Sequence, residues 1–126
     1  MVPPQSTLSN ITSDLNMIHS AFWKIGAMTF AITLPSLSWI QHLPESIAKY
    51  KAVNEHLRDE LHRVNGSRVL GVLDLEGQFT PQENEENRFF WGIDNAHLSE
   101  KGYAVVGDML YKRIREAAAG LLRLDV

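Results

Sequence analysis

Two ionisable side chains three positions apart, Asp94 and His97, stand in the run Trp91-Gly92-Ile93-Asp94-Asn95-Ala96-His97-Leu98-Ser99-Glu100-Lys101-Gly102-Tyr103, just ahead of a segment with helical periodicity. In a turn of this kind the Asp94 carboxylate can accept the Nδ1 proton of His97 and fix its tautomer, so that Nε2 faces outward as a general base. That is two of the three groups of a nucleophilic triad. By itself the spacing also fits a local Asx turn followed by an ordinary helix-entry histidine, so its meaning depends on what surrounds it. Asp74 ends an apolar run at the edge where open α/β sheets place their ligands, although a capping or turn role suits it better. Leu37, Trp39 and His42 follow another apolar run at the same edge and either line a pocket or simply pack their loop. Asn54 falls on the apolar stripe of a helix, where a buried amide is expected to bond backbone and fix a neighbouring loop. His19, His56 and His62 lack paired carboxylates or a spacing suited to a shared metal, so they read as surface or packing residues and no metal is expected.

Positioning these groups requires a core, and 126 residues are enough for one domain only. Twelve Lys and Arg against fifteen Asp and Glu give a net charge of -3, which argues against nucleic acid as a partner because counterion release needs clustered cations. The absence of cysteine excludes a disulfide framework and thiolate chemistry. The N-terminus, Met-Val-Pro-Pro-Gln-Ser, has no basic region, and the longest apolar run, Ala27 to Leu34, is too short to span a bilayer. The chain is therefore expected to be soluble, without a membrane span or signal peptide, and its compartment stays open.

The first helix is predicted from Leu8, Ile11, Leu15, Ile18, Phe22 and Ile25, which step by three and four, with Gly26 placed as its cap. Residues 27 to 34 are apolar on both alternating faces and stop at Pro35, as in a strand covered on both sides. Ile47, Tyr50, Asn54, Leu57, Leu61 and Val64 predict a second helix ending at Asn65-Gly66, and residues 68 to 75 a second strand. Together these form a βαβ unit with parallel strands. Residues 76 to 90 read as a solvated acidic loop, with Glu83, Glu85 and Glu86. In the last segment Ser99 is the expected N-cap, Leu98 is expected to staple to Tyr103, and Tyr103, Val106, Leu110, Ile114, Ala117 and Leu121 form the apolar stripe. The order helix, strand, helix, strand, helix is the back half of a doubly wound, three-layer α/β domain, flavodoxin-like in class. Two strands are too few for such a sheet, so the pattern implies strands beyond these and an apolar edge open to a partner or to self-association.

The whole run Asp-x-x-His-Leu-Ser-x-x-Gly-Tyr, followed by an amphipathic helix, resembles the last conserved block of SGNH (GDSL-type) hydrolases. Ile-Ala-Lys-Tyr-Lys-Ala-Val-Asn-Glu-His-Leu-Arg is similar to that family's preceding helix, Val-Leu-Asp-Leu to the strand before the block, and residues 10 to 34 to the helix and strand after its third block. The resemblance thus covers nearly the whole chain as one partial domain, 1–126, with only Asp94 to Tyr103 specific. It implies a serine ester hydrolase working through an acyl-enzyme without a cofactor, with His97 as base and Asp94 as its orienter. The substrate would be a small-molecule, lipid or carbohydrate ester. It also implies a nucleophilic serine in a Gly-Asp-Ser motif and oxyanion donors from three blocks, and none of these is identifiable here. Gly107-Asp108-Met109 comes nearest to the serine motif, and a methionine cannot serve; Gly92-Ile93-Asp94-Asn95 reverses the third block and already belongs to the histidine block. On this reading the chain is a C-terminal portion, inactive without the serine-bearing half. The rival is a non-catalytic binding or assembly module derived from the same fold. A flavodoxin-like regulator lacks both a phosphate loop and an acidic cluster at successive strand ends.

Overall fold

The computed structural model of the chain describes residues 7–35, 43–79, 86–93 and 97–124. It contains α1 (Leu8–Lys24), β1 (Thr29–Ile32), α2 (Pro44–Glu55), β2 (Val69–Leu73) and α3 (Glu100–Leu124), in the expected alternation. α2 continues through a π-helical turn, His56–Glu60, and a 3-10 turn, Leu61–Arg63; another 3-10 turn, Glu86–Phe90, precedes α3.

α1 begins where the Thr7 hydroxyl accepts the Asn10 N–H at 3.2 Å. It stops at Gly26, whose positive φ of 89° lets the Gly26 and Ala27 N–H groups return to the Trp23 and Phe22 carbonyls, a Schellman closure. Its inward line departs from the expected stripe. Leu8, Ile11 and Leu15 face the core as predicted, but the line then runs to Trp23, while Ile18 and Phe22 are more than half exposed. The reason is the Trp23 indole, which donates to the Thr29 hydroxyl at 2.9 Å and so rolls the end of the helix toward β1. α2 and its extension bury the expected residues: Tyr50, Asn54, Leu57 and Leu61.

β1 and β2 form a two-stranded parallel sheet in the register Phe30↔Gly71, Ala31↔Val72, Ile32↔Leu73. Ala31 and Val72 pack with Trp23, Val53, Leu57 and Leu61 under α1 and α2. On the opposite face Phe30 and Leu73 join Leu75, Phe79, Trp91 and the α3 residues Val105, Val106, Met109 and Leu110. Gly71 belongs in this packing, because a Cβ there would press on the Phe30 ring. α3 lies over β2 rather than β1, and Ile32 stays partly in solvent. The expectation of a strand covered on both faces therefore holds for the Ala31 face alone.

The two sheet edges are finished differently. Arg113 reaches from α3 to the Val72 carbonyl at 3.0 Å, on the side of β2 away from β1. On β1, the Thr29 and Thr33 N–H groups donate to the Arg68 and Leu73 carbonyls, so strand alternation turns the backbone of Phe30 and Ile32 outward. One step further, Asn54 closes the edge: its amide accepts from the Leu34 N–H at 2.7 Å and donates to the Leu34 carbonyl at 3.0 Å. Among the described residues no further strand pairs with β1, and no helix is long and apolar enough to cross a membrane.

Candidate functional site at the carboxyl edge of the sheet

α3 runs back along β2. Val105, Val106, Met109 and Leu110 pack with Leu73 and Leu75, Arg113 bonds Val72, and Ala117 lies beside Phe30, Leu70 and Gly71. The start of α3, and the run that precedes it, therefore sit at the carboxyl ends of the strands, where open α/β sheets place their chemistry.

That run is held by backbone. Trp91 and Leu98 form an antiparallel bridge, the Gly92 N–H donates to the His97 carbonyl at 2.7 Å, and the Ser99 N–H donates to the Phe90 carbonyl at 2.8 Å. Ser99 caps α3 as expected: its Oγ accepts the Gly102 N–H at 3.1 Å and donates to the Phe89 carbonyl at 2.5 Å. Buried Trp91 anchors the frame by donating its indole N–H to the Phe79 carbonyl. Phe79 holds a positive φ of 60°, a strained conformation for a residue with a side chain, while its ring meets Phe90 edge to face at 5.2 Å. The segment expected to be only a solvated loop thus supplies the packing under the block.

Contact at the head of α3 is made by Gly102, not Tyr103. A Cβ on Gly102 would collide with the Phe90 carbonyl, whereas Tyr103 is more than half exposed and Leu98 turns into the cluster with Trp91. This approach sets the inward face of the helix as Val105, Val106, Met109, Leu110 and Ala117, leaving Ile114 and Leu121 of the expected stripe partly in solvent. His97 is exposed at the end of the pinned loop. Asp94 lies outside the described residues, as do Leu37, Trp39, His42, Glu83 and Glu85.

Asp74 sits at the same edge within a closed polar network. Fully buried Thr33 donates its hydroxyl to Asp74 Oδ1 at 2.8 Å and accepts the N–H groups of Leu75, at 2.7 Å, and Glu76, at 3.2 Å. The Glu76 N–H also donates to Asp74 Oδ1, closing an Asx turn. Arg58 Nη1 spans Asp74 Oδ2 at 3.1 Å and Glu76 Oε2 at 2.8 Å, and the hydrogen bonds to Glu76 and then Asp74 raise its pKa above the ordinary arginine value. Partial burial pushes the Asp74 carboxyl up, but the hydrogen bonds from Thr33, the Glu76 backbone and Arg58 outweigh it and hold the pKa below its ordinary value. Asp74 ties strand to helix, in the turn role that its position suggested.

The helical histidines bind within the body of the fold. The Thr29 hydroxyl accepts from Trp23 and meets His19 Nδ1 at 2.7 Å, an arrangement suited to a neutral imidazole that accepts the hydroxyl proton. Burial, and then the charge of His56, lower the His19 pKa. His56 Nε2 meets Asn16 Oδ1 at 2.7 Å, joining α1 to the π turn. Among the described residues no group of three or more His, Asp or Glu could hold a metal ion.

Thr33, Arg58, Glu76 and Gly102 were not singled out in the sequence. The glycine three residues after a Ser cap was a readable signal for close backbone approach, whereas nothing local ties Arg58 to a strand end sixteen residues away. Comparison with protein-family models, curated proteins and solved structures returns no match.

Proposed function

We propose that this chain is the histidine-bearing portion of an SGNH-type serine ester hydrolase, the back half of a doubly wound α/β sheet, with His97 as general base and Asp94 as the carboxylate that orients it. The observation that carries the reading is the placement of His97: exposed, beside the carboxyl ends of two parallel strands, on a loop closed by the Gly92–His97 hydrogen bond. A general base needs this combination of access and fixed backbone, because proton transfer tolerates little positional error. The nucleophilic serine and the oxyanion donors would come from polypeptide outside these 126 residues. In the complete site His97 Nε2 would take the serine proton as the hydroxyl attacks an acyl carbonyl, then return it to the departing alcohol. Water would release the acyl group by the same route.

The test is an ester-hydrolysis assay on the polypeptide recovered from its source with an antibody against residues 100–124, run beside the isolated chain. The isolated chain is expected to hydrolyse p-nitrophenyl esters at the background rate. The recovered polypeptide should hydrolyse them and become labelled on a serine by a fluorophosphonate. His97→Gln in that polypeptide should cut turnover by a factor on the order of 10⁶. Absence of labelling, or hydrolysis indifferent to His97→Gln, would overturn the reading.

A further inference from the structure

Phe79 is where the segment leaving β2 meets the His97 loop. Ahead of it the chain is fixed to the sheet: Thr33 Oγ accepts the Leu75 and Glu76 N–H groups, and Arg58 spans the Asp74 and Glu76 carboxylates. Gly77 then turns at a φ of 79°, and the Gln78 N–H returns to the Leu75 carbonyl at 3.0 Å. This delivers Phe79 into the buried cluster of Leu73, Leu75 and Trp91. A residue with a side chain keeps a φ of 60° only where its surroundings over-determine it. Here they do so from two sides, with the anchored turn before it and, across from it, the Trp91 indole on its carbonyl and the Phe90 ring against its own.

The backbone bonds of the His97 loop give that loop its shape. The Trp91–Leu98 bridge, the Gly92 N–H on the His97 carbonyl and the Ser99 N–H on the Phe90 carbonyl all join residues 90–92 to residues 97–99. They would survive if the loop and the head of α3 shifted as one body over the sheet. Phe90 and Leu98 pack in the same cluster as Leu73, but apolar contact is non-directional and tolerates such a shift. The bond from the Trp91 indole to the Phe79 carbonyl crosses from that body to the segment leaving β2, and a hydrogen bond constrains angle as well as distance. One buried residue thus carries the loop's bridge through its backbone and the loop's attachment through its side chain.

We infer that Phe79 and Trp91 are positioning residues for His97: the buried indole–carbonyl bond, made on a strained backbone, sets where the loop stands at the carboxyl ends of the strands. What the loop is positioned for rests on the ester-hydrolase reading, in which a displacement of about 1 Å at the base costs on the order of 10²-fold in rate.

Hydrogen exchange followed by NMR on the 126-residue chain tests this, with wild type beside Trp91→Phe. The Gly92 and Ser99 amides should exchange about ten-fold faster in the variant, while the sheet amides of Thr29 and Thr33 keep their rates. A second variant, carrying benzothiophene in place of the Trp91 indole, keeps the ring volume and loses only the N–H; it should show the same selective loss. Unchanged exchange at Gly92 overturns the inference. Equal acceleration of all four amides overturns it too, as does a loss seen with Phe but not with benzothiophene, which would assign the effect to a cavity. In the polypeptide recovered from its source, Trp91→Phe should lower kcat by about 10- to 100-fold and leave KM within about two-fold. A wild-type kcat there would also overturn it. A wild-type polypeptide that hydrolyses no ester sinks the ester-hydrolase reading instead, and the exchange rates then decide whether Trp91 holds the loop.

Discussion

Two polar constellations share the carboxyl edge of the sheet and are built in opposite ways. Around Asp74 every group is engaged: Thr33 buried beneath, the Glu76 N–H in front and Arg58 across both carboxylates. Around His97 the engagement that fixes the loop is backbone, from Gly92, Trp91, Leu98 and Ser99, and the residue itself stands in solvent. A carboxylate held by this many donors is committed to architecture, whereas an exposed histidine on a backbone-pinned loop is the placement on which the proposed role as general base rests. The contrast separates two residues that sequence position alone would place in one site.

Substitutions break this contrast from the stability side. Thr33→Val keeps the shape but removes the acceptor of the Leu75 and Glu76 N–H groups, and should cost about 2 kcal/mol in urea unfolding. Ser99→Ala removes the cap of α3 and a tie to the Phe89 carbonyl, and should cost about 1 kcal/mol by the same measurement. A loss as large at Ser99 as at Thr33 would mean that the two frames carry similar weight.

Acid separates the regions next. Asp74 has a folded pKa below its ordinary value, so its stabilisation is present above about pH 3.9 and is lost as pH falls through the lower folded value. His19 is held neutral by burial, and its contribution has the same sign, being complete above about pH 6.5 and lost as pH falls through its depressed folded value. Thermal unfolding from pH 8 to pH 3 should therefore show a plateau, then a decline beginning below about 6.5 that His19→Gln removes, then a steeper one below about 3.9 that Asp74→Asn reduces. The smallest effect belongs to His97→Ala, expected to shift stability by less than about 0.5 kcal/mol, as for an exposed side chain. A loss near that of Thr33→Val would make His97 architectural.

The sequence made the alternation of elements readable because three-four apolar spacings marked the helices and short continuous apolar runs bounded by turn residues marked the strands, and the α2 stripe from Tyr50 to Leu61 is buried as expected. Asn54 could be anticipated because a polar residue inside an apolar stripe must bond something, here Leu34. The errors were rotational. In α1 the Trp23 indole took the inward position that Phe22 was expected to hold, and in α3 Gly102 took the contact expected of Tyr103. Periodicity identifies a face only to within a residue or so, and a tryptophan seeking an acceptor or a glycine admitting a carbonyl decides the rest. The Thr33–Asp74–Arg58–Glu76 network was invisible because it joins three segments through tertiary packing.

The most direct test of the account is the intact mass of the native polypeptide recovered from its source with an antibody against residues 100–124. A mass well above 14.2 kDa, with peptides containing Gly-Asp-Ser upstream of these residues, is the predicted result and would supply the serine that the proposed role of His97 calls for. A mass matching Met1 to Val126 would contradict it and leave Asp94 and His97 as remnants in a binding or assembly protein.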